Sequence, residues 1–216
     1  MWDAVLFDMD GTVSDTLGNI TQAVNYVLDR FGMPGYQAQE LKPMLGWGAR
    51  TLLSRAVPEG TTQEELDRVV ECYLPYYAAH AGDNSPPYEG IVPLFRRLKD
   101  QGVLVAIISN KPDPAVQPVV SAYFAGLVDL AVGEKPGIQR KPAPDMLENA
   151  ARELGVRLDR CVYVGDTEVD IQTAGHAGIP CVAVTWGFRS REQLVQAGAE
   201  TIVDTPQELG DRLLQG

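Results

Sequence analysis

Two aspartates separated by one residue follow the first apolar segment of the chain. Asp8 and Asp10 come directly after residues 4–7, which are all hydrophobic, and a glycine follows at position 11. In an open parallel sheet, ligands bind beyond the carboxyl ends of the strands, near the point where strand order reverses. Two neighbouring carboxylates repel each other unless a cation or a proton relieves the repulsion. The pair therefore favours a functional pocket. A solvated turn is the alternative, whereas an EF-hand is excluded because Asn19 stands where its terminal Glu would be.

Three polar residues follow a later apolar segment in the same way. Residues 104–108 are followed by Ser109, Asn110 and Lys111. Hydroxyl and amide groups at a strand end can hydrogen-bond to the oxygens of a phosphate. We therefore interpret these residues as part of a site for an anionic substrate.

A lysine and a second acidic pair occur further along the chain. Lys141 precedes a proline at the start of a predicted helix, where prolines stiffen the backbone and can hold a point charge in place. Lys135 also precedes a proline and is the alternative to Lys141. Asp166 and Asp170 follow residues 161–164, and their spacing places both on one face if a helix begins there. Acidic residues are also common at helix N-termini, so this pair by itself has a structural explanation.

A sheet is needed to bring these strand ends together. Short apolar segments bounded by turns are typical of strands covered on both faces, and they occur at residues 4–7, 104–108, 127–132, 161–164, 181–184 and 201–203. Helical patterns lie between most of them, for example at residues 92–101 and 143–154. This alternation predicts an α/β fold with a doubly wound, Rossmann-like parallel sheet.

One long region contains helical patterns but no strand. Helices are expected at residues 17–31, 49–57 and 63–81, and a linker with two prolines follows them. An insert of this size can cover the sheet edge as a small α-helical cap domain. The predicted division is a core of residues 1–14 and 88–216 and a cap of residues 15–87.

Composition excludes several classes of protein. The chain has 18 Lys and Arg against 29 Asp and Glu, a net charge of −11, and nucleic-acid binding depends on Lys and Arg. Two histidines leave little to build a His-rich metal site or a Ser–His–Asp triad. No segment approaches the ~20 apolar residues of a membrane helix, and no signal peptide is recognisable. We expect a cytoplasmic protein, a monomer or homodimer, with no nucleic-acid or membrane partner.

Together these motifs resemble those of the haloacid dehalogenase-like hydrolase superfamily. The motifs are D-x-D-G-T from Asp8 to Thr12, the strand-end Ser109, Lys141 in a K-P-x-P setting, and G-D-x-x-x-D from Gly165 to Asp170. They occur in order, and the resemblance covers essentially the whole chain. The helical insert resembles the cap of the subgroup that includes phosphoglycolate phosphatases.

The resemblance implies a covalent mechanism and a metal cofactor. Asp8 would attack phosphorus to form an aspartyl-phosphate, and Asp10 would serve as general acid and then as general base. Mg²⁺ would be held by the Asp8 carboxylate, the Asp10 backbone carbonyl and Asp166. Asp170 would be a direct ligand or lie in the outer shell.

Substrate-binding roles follow from the same resemblance. Ser109 and Lys141 would hold the oxygens of the transferring phosphoryl group, with Asn110 and Lys111 beside them. Thr12 would contribute through the backbone of its loop.

A cap residue is a further candidate for substrate binding. Arg50 follows the glycine-containing segment of residues 46–48, which is flexible enough to bend over the pocket. It is expected to contact a second anionic group on the substrate. The alternative is a surface arginine, with Trp47 packed inside the cap.

The implied activity is the hydrolysis of a small phosphate monoester, with 2-phosphoglycolate as the expected substrate. Asp10 favours this chemistry, because members that cleave carbon–halogen bonds generally lack an acid–base aspartate there. Alternatives within the superfamily are an inorganic pyrophosphatase, a 5'-nucleotidase, a sugar-phosphate phosphatase and a β-phosphoglucomutase. A non-catalytic metal- or phosphate-binding protein is the alternative outside this class. A response-regulator-like receiver domain is disfavoured by the large helical insert.

Overall fold

Six parallel strands form the central sheet in the computed structural model, which describes residues 2–215. The strands are β1 (Ala4–Phe7), β2 (Leu104–Pro112), β3 (Leu130–Glu134), β4 (Cys161–Gly165), β5 (Cys181–Val184) and β6 (Ile202–Val203). Their order is β3-β2-β1-β4-β5-β6, and neighbouring strands are parallel. Strand order reverses at β1, so a ligand is expected beyond the carboxyl end of that strand.

Helices flank the sheet and also fill the long connection between β1 and β2. That connection contains α1 (Leu17–Arg30), α2 (Ala38–Leu41), α3 (Ala49–Ala56) and α4 (Gln63–His80). The later helices are α5 (Ile91–Asp100), α6 (Asp113–Tyr123), α7 (Asp145–Leu154), α8 (Glu168–Ala177), α9 (Arg191–Gln196) and α10 (Pro206–Leu214). Within residues 2–215, no helix has both the length and the hydropathy needed to cross a membrane.

The side chains of β1 explain why the sheet has two covered faces. All four are buried; Val5 and Phe7 belong to one apolar cluster, and Ala4 and Leu6 belong to another. Successive side chains of a strand point to opposite faces, so the two clusters lie on the two sides of the sheet. This arrangement confirms the predicted doubly wound α/β fold.

The helical insert is joined to the core by two adjacent segments. The Asp15 backbone N–H donates to the Pro86 carbonyl at 2.8 Å, and the Tyr88 N–H donates to the Val13 carbonyl at 3.1 Å. Within the insert, α1 packs against α4. A capping box begins α4, with the Glu65 N–H donating to the Thr62 hydroxyl. The exact limits of the cap, 15–87, stay a prediction.

Candidate active site

Asp8 lies directly beyond β1, where the strand order reverses. Its backbone N–H donates to the Val164 carbonyl of β4 at 2.8 Å, which extends the pairing of the two strands by one residue. The residue is buried, and its Oδ1 accepts a hydrogen bond of 2.7 Å from the Met9 N–H. The carboxylate is therefore fixed at the edge of the sheet.

Lys141 brings a buried ammonium group to Asp8. Its Nζ lies 2.9 Å from Asp8 Oδ1, and it donates to Asp170 Oδ1 and to the Tyr163 hydroxyl at 2.8 Å each. Burial acts to lower the pKa of Lys141, but the Asp170 and Asp8 carboxylates outweigh it and hold that pKa above its ordinary value. Lys141 therefore stays charged and neutralises part of the surrounding negative charge.

Asp8, Asp166 and Asp170 form a cluster of buried carboxylates. One oxygen from each residue lies within 4.8 Å of the other two. Burial raises the pKa of Asp8 to about 7, with Lys141 opposing the rise and Asp170 and Asp10 adding to it. Burial and the two neighbouring carboxylates also raise the pKa of Asp166 well above its ordinary value. A divalent cation would relieve this repulsion, and carboxylate oxygens are its preferred ligands, so the donor set fits a divalent metal ion.

Asp166 and Asp170 differ in how fully their oxygens are used. Asp166 accepts from the Thr12 hydroxyl at 2.8 Å and from the Phe188 N–H at 2.7 Å. Asp170 accepts five hydrogen bonds, including those from the Thr167 N–H and hydroxyl at 3.0 and 2.8 Å. A carboxylate offers about four lone-pair positions. Asp166 therefore retains more capacity to bind a metal than Asp170.

The loop after β1 packs tightly against Asp166. Gly11 has φ +90°, and a Cβ at that position would lie 2.3 Å from Asp166 Oδ2, so glycine alone fits there. The buried Thr12 hydroxyl is engaged by the same carboxylate. The side chain of Thr12 thus positions Asp166, and the structure does not bring it to the substrate cavity.

Asp10 contacts a different set of groups. The Nζ of Lys111 donates to Asp10 Oδ1 at 3.0 Å and to the hydroxyl of Tyr77 on α4. The Lys111 side chain is fully buried, whereas 18% of the Asp10 side chain is exposed. Burial, together with the Asp10 charge, raises the pKa of the Tyr77 phenol well above its ordinary value, so this hydroxyl stays neutral. The Lys111 ammonium group therefore contacts both the core and the cap.

Ser109, Asn110 and Lys111 lie inside β2, which extends four residues beyond the predicted end at residue 108. The Asn110 amide donates to the Lys141 carbonyl at 3.0 Å and to the Gly46 carbonyl at 3.1 Å, and it accepts from the Lys141 N–H at 2.9 Å. The Ser109 hydroxyl accepts from the Lys111 N–H at 3.2 Å and lines the cavity. Asn110 therefore positions the Lys141 loop and the cap loop.

A cavity of about 50 Å³ lies between these residues and the cap. Its core side is polar and its cap side is mainly apolar, with lining residues that include Asp8, Asp10, Ser109, Asn110, Lys111, Ile20, Leu45, Leu52, Tyr73 and Tyr77.

Arg189 joins the cap to the core and was not among the predicted site residues. Its guanidinium group donates to the Glu168 carboxylate at 2.8 and 3.1 Å and to the Lys42 and Leu45 carbonyls at 3.3 and 2.9 Å. Glu168 also accepts a hydrogen bond of 3.0 Å from the Trp47 indole. The sequence signal for Arg189 is slight: it follows the apolar segment of β5 by five residues.

Two of the candidate cations lie away from the carboxylate cluster. Arg50 pairs with Asp67 of α4 at 2.5 Å, and nearly half of each side chain is exposed. Lys135 pairs with Asp113 at 3.3 Å. The structure thus brings Lys141 to Asp8 in preference to Lys135, and it does not bring Arg50 to the cavity.

Comparison with known proteins agrees with this geometry. Residues 5–184 match the model of a family described as haloacid dehalogenase-like hydrolase. The chain belongs to this family. Haloacid dehalogenase-like phosphatases generally use a divalent metal ion, which is consistent with the cluster of Asp8, Asp166 and Asp170.

Named relatives of the chain are phosphatases. A phosphoglycolate phosphatase of Xanthomonas campestris pv. campestris is 32% identical over 210 residues, which cover 95% of this chain and 94% of that protein. An N-acetylmuramic acid 6-phosphate phosphatase of Pseudomonas aeruginosa is 29% identical over 212 residues, covering 97% and 94%. The crystal structure of a proposed phosphoglycolate phosphatase from Lactobacillus delbrueckii subsp. bulgaricus has a TM-score of 0.93 and 40% identity, covering 98% of both chains. These matches confirm the predicted superfamily, its phosphoglycolate phosphatase-like subgroup, and the enzyme class of phosphoric monoester hydrolases.

Proposed function

We propose that this phosphatase hydrolyses 2-phosphoglycolate through an aspartyl-phosphate formed on Asp8. The supporting observation is the Asp8 carboxylate, which is buried and lies 2.9 Å from the Lys141 ammonium group within a cluster of three carboxylates. A buried carboxylate that contacts a fixed cation and belongs to a cluster suited to a metal ion can act as the nucleophile toward a phosphate.

Two displacements at phosphorus complete the reaction. An Asp8 oxygen attacks phosphorus, the bond between phosphorus and the ester oxygen breaks, and Asp10 gives that oxygen a proton. Water then attacks the phosphorus of the aspartyl-phosphate, Asp10 takes the proton, and the bond to Asp8 breaks. The products are the alcohol and inorganic phosphate. Lys141 and Ser109 stabilise the charge on the transferring oxygens.

A metal ion would be held by the carboxylates of Asp8 and Asp166 and the backbone carbonyl of Asp10. We propose Mg²⁺, because it prefers oxygen ligands and commonly keeps several waters in place of a full set of protein ligands. Its charge would allow an anionic nucleophile to approach an anionic phosphate. Asp170, which already accepts five hydrogen bonds, would position Lys141 without binding the metal directly.

The names of the relatives favour one of two substrates. The names of two relatives, at 32% and 29% identity, refer to phosphoglycolate and to a sugar phosphate, so identity hardly separates them. More of the similar relatives are named for phosphoglycolate than for a sugar phosphate. We therefore favour phosphoglycolate over a sugar phosphate.

The domain division, cellular location and oligomeric state of the enzyme are inferred from its sequence. Residues 15–87 act as a cap over a core of residues 1–14 and 88–216. The enzyme works in the cytoplasm as a monomer or homodimer.

Phosphate release from a panel of small phosphates tests the proposed activity. The panel contains 2-phosphoglycolate, pyrophosphate, a nucleoside monophosphate and two sugar phosphates, each with Mg²⁺ and with chelator. We expect the highest kcat/KM for 2-phosphoglycolate, with activity lost on chelation and in Asp8→Asn. Activity that survives Asp8→Asn would overturn the mechanism, and a clear preference for a sugar phosphate would overturn the substrate.

A further inference from the structure

Among the described residues that line the cavity, Lys111 is the one cationic side chain. Its ammonium group is fully buried, donates to Asp10 at 3.0 Å and also donates to the Tyr77 hydroxyl. The same Nζ lies 4.3 Å from the centre of the Tyr77 ring. Lys111 therefore lies at the boundary between core and cap, where it contacts Asp10 of the core and Tyr77 of the cap.

The contact between Lys111 and Asp10 places the Lys111 ammonium group near the leaving group of the substrate. If Asp10 protonates the ester oxygen, that oxygen lies within hydrogen-bond distance of Asp10. In an acid such as phosphoglycolate, a single carbon separates the ester oxygen from the carboxylate. A donor that touches Asp10 is therefore within reach of a carboxylate attached to the ester carbon.

We propose that Lys111 and Tyr77 form the subsite for a carboxylate carried by the substrate, and that this pair selects phosphorylated acids over neutral phosphate esters. The proposal rests on the proposed function, since it assigns part of the same cavity. An ammonium and a hydroxyl provide two donors for the two oxygens of a carboxylate. Arg50, the cation expected at a second anionic group, is paired with Asp67 outside the cavity, and Lys111 takes that role.

Burial makes this interaction selective. A charged group in a water-poor site interacts strongly with an opposite charge and is costly to leave without one. A substrate carboxylate would share the Lys111 ammonium with Asp10, whereas an uncharged substituent would offer it no acceptor of comparable strength. Because Tyr77 belongs to the cap helix α4, the substrate carboxylate would also bridge cap and core.

The test compares two substrates that differ in the carboxylate. 2-Phosphoglycolate and ethyl phosphate share the ester group, and the readout is the ratio of their kcat/KM values. Lys111→Met should lower this ratio by roughly 30- to 100-fold, as expected for the loss of a charge-assisted hydrogen bond. Tyr77→Phe keeps the ring and removes the hydroxyl, and it should lower the ratio by roughly fivefold. Lys99→Met, which alters a partly exposed lysine paired with Asp129, is the control.

The ratio separates substrate recognition from an effect on Asp10. If Lys111→Met lowers kcat/KM for both substrates by the same factor, Lys111 acts only on Asp10 and the proposal is overturned. If that variant does not fold, Tyr77→Phe decides: a lower ratio supports the subsite, and an unchanged ratio refutes it. The proposed function fails in a different way, namely when the wild type releases phosphate from neither substrate or when Asp8→Asn stays active.

Discussion

The core side of the active site and its contact with the cap are built from different kinds of interaction. In the core, charged side chains bind one another directly: Lys141 lies within 2.9 Å of Asp8 and 2.8 Å of Asp170. Across the contact, Arg189 and Asn110 donate to backbone carbonyls of the cap, including those of Leu45 and Gly46. Two side-chain pairs, Trp47 with Glu168 and Tyr77 with Lys111, add to these bonds. Every residue has a backbone carbonyl, so the cap segment can change sequence and keep the bonds to Leu45 and Gly46. The difference indicates that charged side chains organise the core, whereas the cap is held by loop geometry as well as by side-chain pairs.

Removing the central cation should have the largest effect on the molecule. Lys141→Met leaves the buried Asp8 and Asp170 carboxylates without their ammonium partner. We expect a loss of about 3–5 kcal/mol in the free energy of unfolding, measured by urea denaturation. Phosphate release should fall by at least about 100-fold, because charge stabilisation at the transferring oxygens is lost.

The chain supplies a matched control for this substitution. Lys135 also precedes a proline, but its side chain is 44% exposed and pairs with Asp113. Lys135→Met should change stability by less than about 1 kcal/mol. Equal losses of unfolding free energy in the two variants would contradict the view that the buried charges around Lys141 hold the core side of the site together.

Removing the arginine between core and cap should have an intermediate effect. Arg189→Met leaves Glu168 and the Leu45 carbonyl without their guanidinium donor, and we expect a loss of about 2 kcal/mol. The measurement is the midpoint of urea denaturation. Arg191→Met, at a partly exposed arginine paired with Asp204, is the control and should cost under about 1 kcal/mol. A loss no greater than that of the control would show that the contact contributes little to holding the cap.

A change in backbone geometry at the cap loop should have the smallest effect on stability and a selective effect on activity. Gly46 has φ +105°, and a Cβ there would lie 3.2 Å from the Thr167 hydroxyl oxygen of the core. Gly60 has φ +88°, with nothing within 4 Å of such a Cβ. Alanine at either position should cost about 1–2 kcal/mol, because both residues have positive φ.

Activity should distinguish these two glycine variants. We expect Gly46→Ala to lower kcat/KM by roughly tenfold, because it pushes the cap loop away from the core and misplaces the substrate. Gly60→Ala should keep the wild-type kcat/KM. If both variants retain full activity, close approach of the Gly46 loop is not needed for the reaction.

The proximity of the Asp8 and Asp166 carboxylates could be predicted, because both residues come directly after a strand. Asp8 and Asp166 follow β1 and β4, and parallel strands deliver their carboxyl ends to one edge. The fold itself was predictable from alternating apolar segments and helical patterns. The three expected cap helices, 17–31, 49–57 and 63–81, agree to within one residue at each end with Leu17–Arg30, Ala49–Ala56 and Gln63–His80. The short helix α2 was not predicted.

Contacts made through the backbone could not be predicted in this way. The cap partners of Arg189 are backbone carbonyl groups more than 140 residues away, and no residue type marks a carbonyl. The position of Arg50, in contrast, had a signal. The buried face of α3 is formed by Ala49, Leu52, Leu53 and Ala56, and helical periodicity places Arg50 off that face, where it pairs with Asp67.

Two features of the sheet region also differ from expectation. The segment after residue 108 was expected to leave the strand, yet β2 continues to Pro112, and its pairing with β3 shifts register between Ile108 and Pro112. Helix α6 was not predicted, because its sequence contains Pro118 and an apolar pattern too weak to mark one face. The extension of β2 carries Ser109, Asn110, Lys111 and Pro112, which all line the cavity.

Trapping the covalent intermediate is the sharpest test of nucleophilic attack by Asp8. Wild-type enzyme with Mg²⁺ and 2-phosphoglycolate is quenched in acid during the first turnover, and the peptide that contains Asp8 is analysed by mass spectrometry. We expect one phosphoryl group on Asp8 and none in the Asp8→Asn variant. Hydrolysis without a phosphorylated Asp8, or with the phosphoryl group on another residue such as Ser109, would contradict it.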